Sequence, residues 1–496
     1  MLTRLRVKGF KNLLDADVRF GPFTCIAGLN GVGKSNLFDA IHFLSLLTSR
    51  GLVEAAQFIR DDDGRSGDVR GLFYRHGDMV LPEMEFVADM ITPKEGVDTL
   101  RQVAKATSTF LRYTLRIGYR GEDSPYGSLE VRNEELSYIS KGEAGNEIAF
   151  EHAAKAWRNE VVVDKRRAKE SRYIHTKPNS DGQNVVYIQQ DGTQGRPQPR
   201  LAEPLPRTVL SSLSASEAKT AVLARNEMAS WRLLQLEPSA MRRADDFRSP
   251  TSVSSDGSHM PATLHRLLTN GRSGASEATR QRIANRVAGL VGDLADVNVE
   301  RDDKRELITL VATLQDGTLH PARALSDGTL RFLALAIIEQ SADATGLFCL
   351  EEPENGISPS RVQAMLGLLQ EIAVDPHESP GPDNPQRQVI VNTHSPIVVA
   401  RVPDDSLLVA EQAGVSGEPF GLVGVVPTVR FSALPNTWRI KAGAPECAKG
   451  RLIPYLNPIG AEPLMSSAER SSRSRSPLVR DRSDLQMLLP FLEPRP

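Results

Sequence analysis

The sequence has 496 residues, which is enough for two or three domain-sized units. Lys and Arg number 60 and Asp and Glu number 62, so the net charge of −2 gives no global attraction to nucleic acid or to an anionic membrane. With three cysteines, no CxxC pair and no apolar run near about 18 residues, we expect a cytoplasmic protein without a disulfide framework, a zinc site or a membrane span.

The first 50 residues predict two strands, a third buried strand and a helix. Residues 2–8 alternate apolar and basic side chains, which is typical of a strand, and a second strand begins at Val18. Residues 23–27 form a short apolar strand that leads into a glycine-rich loop. From about Ser35 onward, apolar side chains recur at helical spacing.

The loop between that strand and that helix is Gly28-Leu-Asn-Gly-Val-Gly33-Lys34-Ser35, which matches G-x-x-x-x-G-K-[ST]. In such a P-loop, backbone N–H groups and the helix N-terminus surround the β-phosphate. We expect Lys34 to reach the β- and γ-phosphates and Ser35 to bind Mg²⁺. The alternative is a glycine-rich turn with a stray lysine, and a chance match in such a chain has a probability of roughly 0.02. The candidate nucleotide-binding residues are Asn30, Gly31, Val32, Gly33, Lys34, Ser35 and Asn36.

Residues 50–300 carry weaker signals. Residues 108–118 and 128–139 predict paired strands, and residues 151–200 predict loops with one helix. Ser214-Ala-Ser-Glu217 is a candidate capping box for a helix that reaches Leu236. A further helix is predicted over residues 277–293.

Two basic clusters in this region could contact nucleic acid. The first joins Lys165-Arg166-Arg167 with Lys169 and Arg172, and the second is Arg242-Arg243. Trp157 and Tyr173 lie nearby in the sequence and could stack on bases. The alternative is a solvated helix face, so DNA stays open as a partner.

The C-terminal half alternates helix and strand. A strand over residues 306–314 ends in a hairpin turn at Asp316-Gly317. Helix, strand, helix and strand then follow, which favours a parallel sheet with crossover helices. Their predicted ranges are 329–340, 346–350, 359–373 and 388–392.

Two carboxylates follow the apolar strand at residues 346–350. They emerge at the carboxyl end of a parallel strand, where α/β sheets place their ligands. We expect Glu351 to hold the Mg²⁺ shell and Glu352 to polarise the attacking water. The alternative is an acidic strand end that faces solvent.

Two further segments could contact phosphate. Ser326, Asp327 and Gly328 precede a helix, and the free N–H groups at its start would suit a phosphate. A plain helix N-cap is the alternative. His394 follows the last apolar strand and could hydrogen-bond the γ-phosphate or the attacking water. A structural histidine is the alternative there.

Together and in this order, these segments resemble the ATPase heads of the SMC/RecF-like branch of ABC ATPases, over residues 1–50 and 305–400. Leu5-Arg-Val-Lys-Gly-Phe10-Lys-Asn12 is similar to that branch's first strand, which lies near the nucleotide base, so Lys11 and Asn12 join the candidates. Leu325-Ser-Asp-Gly-Thr329 resembles the signature motif, Glu351-Glu-Pro-Glu-Asn-Gly356 resembles Walker B with the D-loop, and His394 resembles the switch histidine.

The resemblance implies ATP and Mg²⁺ as ligands. It also implies a homodimer or higher oligomer in which two heads sandwich two ATP molecules, with Ser326 of one head on the γ-phosphate bound by the other. Three departures from the pattern stand out. Ile357-Ser358-Pro359 replaces the usual His-Pro, Glu351 replaces the commoner Asp, and only Gln189 and Gln190 offer a weak Q-loop.

The predicted fold class is α/β: a P-loop NTPase, ABC/SMC-head-like, with a mostly parallel sheet, an antiparallel β subdomain and an inserted helical lobe. Residues 1–50 and 301–410 would form the two halves of the ATPase head, and residues 51–300 the inserted β/helical lobe. Residues 411–496 would be an extension with a disordered Ser/Arg-rich tail. No Asp-x-Asp follows His394, so we expect no built-in nuclease.

The predicted function is that of an ATP-hydrolysing sensor in anti-phage defence, similar to the ATPases of OLD-like and Septu-like systems, which acts with a separately encoded effector protein. The alternative is a RecF-like DNA-repair ATPase that binds DNA directly. A transporter subunit is disfavoured because the signature lacks Leu-Ser-Gly-Gly-Gln and because residues 35 and 351 lie so far apart.

Overall fold

The computed structural model describes residues 1–59, 69–121, 128–165, 172–189, 191, 197–269, 273–292, 294–417 and 424–448. Its strands are β1 (Leu2–Phe10), β2 (Leu13–Arg19), β3 (Phe23–Ala27), β4 (Arg75–His76), β5 (Met79–Val80), β6 (Glu83–Ile91), β7 (Glu95–Val97), β8 (Val103–Lys105), β9 (Phe110–Tyr119), β10 (Leu129–Tyr138), β11 (Ile174–Pro178), β12 (Asn184–Ile188), β13 (Gln198–Leu201), β14 (Arg232–Leu234), β15 (Asp245–Asp246), β16 (Leu294–Asp302), β17 (Leu307–Leu314), β18 (Leu319–Pro321), β19 (Gly346–Glu351), β20 (Arg387–Thr393), β21 (Leu407–Gly417) and β22 (Gly424–Ala433).

The α-helices are α1 (Lys34–Leu46), α2 (Leu52–Gln57), α3 (Ala144–Glu147), α4 (Asn159–Val161), α5 (Val209–Ser212), α6 (Lys219–Ala229), α7 (Pro238–Met241), α8 (Met260–Thr269), α9 (Ser273–Val291), α10 (Asp327–Gln340), α11 (Val362–Ile372), α12 (Pro396–Val399) and α13 (Trp438–Lys441). A π-helical segment over Ala154–Arg158 precedes α4. In the part of the chain that the structure describes, every helix is too short or too polar to cross a bilayer.

A mostly parallel sheet carries the strands that the motifs predicted. Its order is β14-β19-β20-β3-β21-β22, and all neighbouring pairs are parallel except β21 with β22. Cys349 lies opposite Ile390, and Val391 lies opposite Cys25. The predicted strand–loop–helix at the N-terminus and the helix–strand alternation after residue 325 are therefore confirmed.

Both faces of this sheet are covered, which explains its almost continuous apolar strands. Along β19, Leu347 and Cys349 belong to the core that contains α1, whereas Phe348 and Leu350 belong to the core that contains α10 and α11. This alternation follows from the two-residue repeat of a strand. The polar residues at the carboxyl ends of the strands are thus left at one edge of the sheet.

An antiparallel sheet covers the other side of α1. Its order is β13-β12-β11-β10-β9-β6-β1-β2, so the predicted β9–β10 pair is confirmed. The rings of Phe10 on β1, Phe43 on α1 and Phe86 on β6 meet with centroid distances of 5.4–6.1 Å. Because this packing sandwiches α1 between two sheets, it fixes the β1–β2 turn above the start of α1.

Two predictions for the middle of the chain are wrong. Residues 151–200 hold the strands β11, β12 and β13 as well as helical turns, because these short strands extend an existing sheet and need little apolar pattern of their own. The helix predicted to reach Leu236 ends at Ala229, since the following residues form β14 beside β19. By contrast, the hairpin at Asp316-Gly317 is confirmed as the β17–β18 turn, where Gly317 has a φ of 82°.

The predicted aromatic partners for nucleic acid are buried. Trp157 is 0% exposed and Tyr173 is 3% exposed, so neither can stack on a base. Of the first basic cluster, Arg172 pairs with Glu135 at 3.4 Å, and residues 166–171 lie outside the described part of the chain. The arginines of the C-terminal tail also lie outside it.

Residues 51–300 contribute to both large sheets. β6 pairs with β1, and β14 pairs with β19, so hydrogen-bonded contacts cross the boundaries that we predicted at residues 50 and 300. The division of the chain at residues 50, 300 and 410 stays a prediction.

One buried carboxylate ties the antiparallel sheet to the helical region behind it. Glu134 on β10 is 0% exposed. It accepts hydrogen bonds from the backbone N–H groups of Val209 (2.7 Å) and Leu210 (2.8 Å) and from the hydroxyl of Tyr113 (3.1 Å). Burial raises the pKa of Glu134 to about 7, although these hydrogen bonds oppose the shift.

We expect Glu134→Ala to destabilise the fold by about 3 kcal/mol, because two buried N–H groups lose their acceptor. The folded pKa lies above the unfolded one, so this group's contribution to stability falls as the pH rises from about 4.5 to about 7. Urea unfolding should therefore show a larger loss at pH 5 than at pH 8. Glu135→Ala, on the same strand and paired with Arg172, is the matched control. A loss that grows toward pH 8 would contradict a raised pKa.

Candidate nucleotide-binding site

The P-loop leaves the parallel sheet at the end of β3 and closes on the first turn of α1. Gly33 has a φ of 112°, and a Cβ there would lie 2.1 Å from Asn12 Nδ2. At Gly28, a Cβ would lie 2.9 Å from the carbonyl oxygen of Ala410. Both positions therefore require glycine, one for its backbone conformation and both for space. The glycines that the motif demands are explained by the fold.

The β1–β2 turn holds the P-loop from the side. Asn12 Nδ2 donates to the carbonyl oxygen of Val32 (3.0 Å), and Asn36 Nδ2 donates to Asn12 Oδ1 (2.7 Å). Lys11 has a φ of 48° and its Nζ pairs with Asp39 Oδ2 at 2.8 Å. Asn12 and Asn36 thus bridge the turn and the loop, while Lys11 is directed to α1.

The side chain of Lys34 crosses the loop. It is 6% exposed, and its Nζ donates to the carbonyl oxygens of Gly28 (2.7 Å) and Leu29 (3.0 Å). Burial lowers the pKa of Lys34, and the nearby carboxylates of Glu352 and Glu351 oppose that shift. A buried ammonium ion at this point gives the loop a localised positive charge.

The two carboxylates lie at the end of β19, beside the P-loop. Glu352 has a φ of 44°, which is unusual for a residue with a side chain, and its N–H donates to the carbonyl (3.0 Å) and the side-chain oxygen (3.1 Å) of Asn392. Strained backbone of this kind clusters at functional sites. The turn directs Glu352 away from the strand and toward the site.

Glu352 is held by two side chains. His394 Nδ1 lies 2.6 Å from Glu352 Oε1, and Asn355 Nδ2 donates to Glu352 Oε2 at 2.9 Å. Burial alone would raise the pKa of Glu352, but the hydrogen bonds from Asn355 and His394 bring the pKa below its usual range. The carboxylate is therefore ionised at neutral pH and can accept a proton.

A third carboxylate, Glu354, lies behind this group. It is 9% exposed, and its Oε1 accepts a hydrogen bond from the hydroxyl of Thr393, which itself accepts from the N–H of Ser395 (2.9 Å). Burial raises the pKa of Glu354. These contacts fix the backbone on both sides of His394.

One cavity of about 530 Å³ brings the P-loop and the carboxylates together. Asn355 and Asn392 line it together with nine predicted site residues, namely Asn12, Asn30, Gly31, Gly33, Lys34, Ser35, Asn36, Glu351 and Glu352. The hydroxyl of Ser35 and the carboxylate of Glu351 are oxygen donors of the kind that Mg²⁺ prefers. The residues at this point therefore fit a magnesium ion together with a phosphate chain.

The predicted signature residues do not line this cavity. Ser326 and Asp327 are exposed at the start of α10, and Ser326 Oγ accepts from the N–H of Thr329 (3.2 Å), as a helix N-cap does. A Cβ on Gly328 would lie 3.3 Å from the carbonyl oxygen of Gly356, so the start of α10 lies against the D-loop. Val32, also predicted at the site, lines a neighbouring cavity instead.

That neighbouring cavity has a volume of about 450 Å³ and shares Asn12 with the first. Lys11, Phe73, Gln412 and Thr428 are among the residues that line it. Its lining mixes aromatic, amide and hydroxyl groups with the basic side chains of Lys11, Arg70 and Arg75. Its position next to the P-loop extends the site beyond the phosphates.

Three polar residues at this edge of the sheet were missed. Asn392 is the last but one residue of β20, and Asn355 follows Glu352 by three residues, so each could have been found as a polar residue near the end of an apolar strand. Gln235 directly follows β14 and lines a third cavity with Glu351 and Glu352. By contrast, Gln189 follows β12 in the other sheet, and Gln190 lies outside the described residues.

Comparisons with known proteins agree with this arrangement. A family model described as "AAA domain, putative AbiEii toxin, Type IV TA system" matches residues 144–400, more than half of the chain. A second model, described as "AAA domain", matches residues 4–61. The two matches include the P-loop, residues 325–329, both carboxylates and His394.

Curated relatives match over shorter stretches. The DNA replication and repair protein RecF of Parabacteroides distasonis is 43% identical over 63 residues, which cover 12% of this chain and 17% of the relative. RecF of Erwinia tasmaniensis is 30% identical over 101 residues, which cover 20% of this chain and 26% of the relative. The chain thus matches only 17% to 26% of the length of these relatives.

Among solved structures, the SMC head bound to the C-winged helix domain of ScpA is 14% identical, with a TM-score of 0.44 and coverage of 87% of this chain and 98% of that one. The SMC head domain with an extended coiled coil from Pyrococcus furiosus is 12% identical, with a TM-score of 0.42 and coverage of 89% and 98%. On the family match over residues 144–400, the chain belongs to the AAA-domain family so described.

Proposed function

We propose that the chain binds ATP with Mg²⁺ in the P-loop cavity and hydrolyses it. The observation that carries this proposal is that Lys34, Ser35, Glu351 and Glu352, from two distant parts of the sequence, line one cavity. Lys34 would exchange its two carbonyl partners for phosphate oxygens, which gain more from a positive charge. Ser35 and Glu351 would hold Mg²⁺, which draws charge from the phosphate oxygens when it is bound.

In this proposal, Glu352 is the general base. It would take a proton from the attacking water as the new O–P bond forms and the bond between the γ-phosphorus and the β,γ-bridging oxygen breaks, leaving ADP and phosphate. The role rests on the position of Glu352 in the cavity beside Lys34 and Ser35 and on its being ionised at neutral pH, as a general base must be. His394 and Asn355 would orient it through their hydrogen bonds.

Gln235 and the neighbouring cavity complete the proposed site. Gln235 would contact the metal shell or the attacking water from the end of β14, because it lines a cavity with both carboxylates. The base and ribose would occupy the cavity lined by Lys11, Val32 and Thr428, next to Asn12. This division places the phosphates under the P-loop and the base beneath the β1–β2 turn.

Two heads would close on two ATP molecules. The signature turn, which we define as residues 325–329, lies outside the P-loop cavity of its own chain and exposes Ser326 and Asp327. Ser326 and the N–H groups at the start of α10 could therefore serve a phosphate held by a second copy. This supports a homodimer whose two sites each need both chains.

We expect Ser326→Arg to leave ATP affinity unchanged and to abolish ATP-induced association, because the larger side chain fills the space that the partner's γ-phosphate needs. Sedimentation velocity with and without ATP measures the association, and calorimetry measures the affinity. Ser180→Arg, on the exposed β11–β12 turn, is the control. ATP-induced dimers of Ser326→Arg at wild-type strength would reject the role in trans.

For the biological role, we propose a sensor ATPase in anti-phage defence that acts with a separately encoded effector. The family description, which names a toxin and a TA system, supports a place in such a system. The alternative is DNA repair, which the partial match to RecF favours. Strong, salt-dependent DNA binding by the isolated protein would favour the alternative. Lack of DNA binding, together with capture of the product of a neighbouring gene as an effector, would favour the sensor ATPase.

A further inference from the structure

Arg242 hydrogen-bonds to both neighbours of Ser326 in the signature turn. Its Nη2 donates to the carbonyl oxygen of Leu325 (2.9 Å) and to Asp327 Oδ1 (2.6 Å). The Arg242 side chain is 29% exposed, so the guanidinium group that contacts Asp327 is partly shielded from solvent. A charge-assisted contact to each neighbour of Ser326 limits how far the turn can move.

The segment that carries Arg242 begins at the proposed nucleotide site. Gln235 and Glu237, at the end of β14, line a cavity of about 250 Å³ with Glu351 and Glu352. Helix α7 then packs on α10, and Arg242 follows directly. Residues 235–242 therefore run from the carboxylates at one end to the signature turn at the other.

Without Arg242, the negative charge of Asp327 would disfavour the binding of a phosphate at Ser326. Its carboxylate is 54% exposed and lies beside Ser326, where the proposed function requires a phosphate of the partner head. An uncompensated carboxylate there would repel that phosphate, since like charges that meet in an interface are strongly unfavourable. The guanidinium of Arg242 neutralises it at 2.6 Å.

We propose that Arg242 is a positioning residue that holds the signature turn in place and compensates the negative charge of Asp327 beside Ser326. The phosphate of the partner head in this inference rests on the proposed function, whereas the contacts of Arg242 with Leu325 and Asp327 do not. It also changes the interpretation of the second predicted basic cluster, Arg242-Arg243. Arg242 is engaged within the chain, whereas its neighbour Arg243 is exposed.

Hydrogen exchange on the nucleotide-free protein tests the hold on the turn. In Arg242→Ala, the N–H groups of Thr329 and Leu330, which bond to Ser326, should exchange roughly 3-fold faster or more, the scale of a partly exposed ion pair. Arg243→Ala should leave them unchanged, and raised salt should shrink the difference. Equal exchange in all three proteins would overturn the positioning role.

ATP-induced association tests the compensation. Arg242→Ala should weaken it by at least about tenfold, with ATP affinity unchanged, and adding Asp327→Asn should restore part of the loss because the unpaired charge is gone. An additive loss in the double variant would overturn the compensation. If the wild type itself fails to associate with ATP, the proposed function fails, while the exchange measurement still decides the contact. Equal loss of DNA affinity in Arg242→Ala and Arg243→Ala, with normal exchange, would instead show a basic surface patch.

Discussion

Glu352→Gln is expected to slow ATP hydrolysis by about 10³-fold or more while ATP still binds. A glutamine keeps the size of the side chain, and its amide oxygen can still accept one of the two hydrogen bonds that come from His394 and Asn355. It cannot accept a proton from water, and general-base catalysis alone contributes about 10²- to 10⁴-fold. The loss should therefore appear in kcat, with little change in affinity.

Two measurements separate the steps. A single-turnover assay with radiolabelled ATP gives the rate of the chemical step, and sedimentation shows whether an ATP-bound dimer accumulates because turnover is blocked. Glu300→Gln, on an exposed position of β16, is the control for a general charge effect. If Glu351→Gln were the variant that binds ATP but does not hydrolyse it, the roles assigned to the two carboxylates would be reversed.

Lys34→Ala is expected to abolish tight ATP binding. The ammonium group lies in the P-loop cavity and donates to two carbonyl oxygens. Among the residues that line this cavity, Lys34 alone carries a cation that can reach the phosphates. Loss of a charge-assisted contact of this kind costs several kcal/mol where water is excluded, which corresponds to an affinity loss of at least about 100-fold.

Calorimetry with ATP and Mg²⁺ measures the affinity directly. Lys105→Ala removes an exposed lysine that pairs with Glu95 and provides the control. The melting temperature without nucleotide should change little, because the cost of burying the Lys34 ammonium group offsets its two hydrogen bonds to carbonyl oxygens. Wild-type affinity in Lys34→Ala would reject the P-loop assignment, whatever the behaviour of Glu352→Gln.

The sequence predicted the features that depend on local pattern. The P-loop combines a five-residue apolar strand, glycines and a helix start, all within about 20 residues, and the pair Glu351-Glu352 ends a strand that is apolar throughout. Such signals need no knowledge of distant contacts. The same is true of the hairpin at Asp316-Gly317.

What escaped prediction depends on long-range contacts. β14 has three residues and is a strand only because β19 lies beside it, so Gln235 could not be placed at the sheet edge in advance. Trp157 was expected near the surface, yet it packs against Phe150 in a separate small core. The contact between Arg242 and Asp327 joins residues 85 positions apart, and no local pattern marks it.

The strand order of the parallel sheet has a consequence for synthesis on the ribosome. β3 leads into the P-loop after Ala27, but its two neighbours in the sheet are β20 (Arg387–Thr393) and β21 (Leu407–Gly417), which come much later in the chain. A nascent chain that has exposed only its first few hundred residues therefore carries β3 without either of its sheet neighbours, next to an open phosphate loop. Because pairing between distant strands forms slowly, the growing chain must keep this segment covered by the antiparallel sheet and α1 until residues 387–409 emerge.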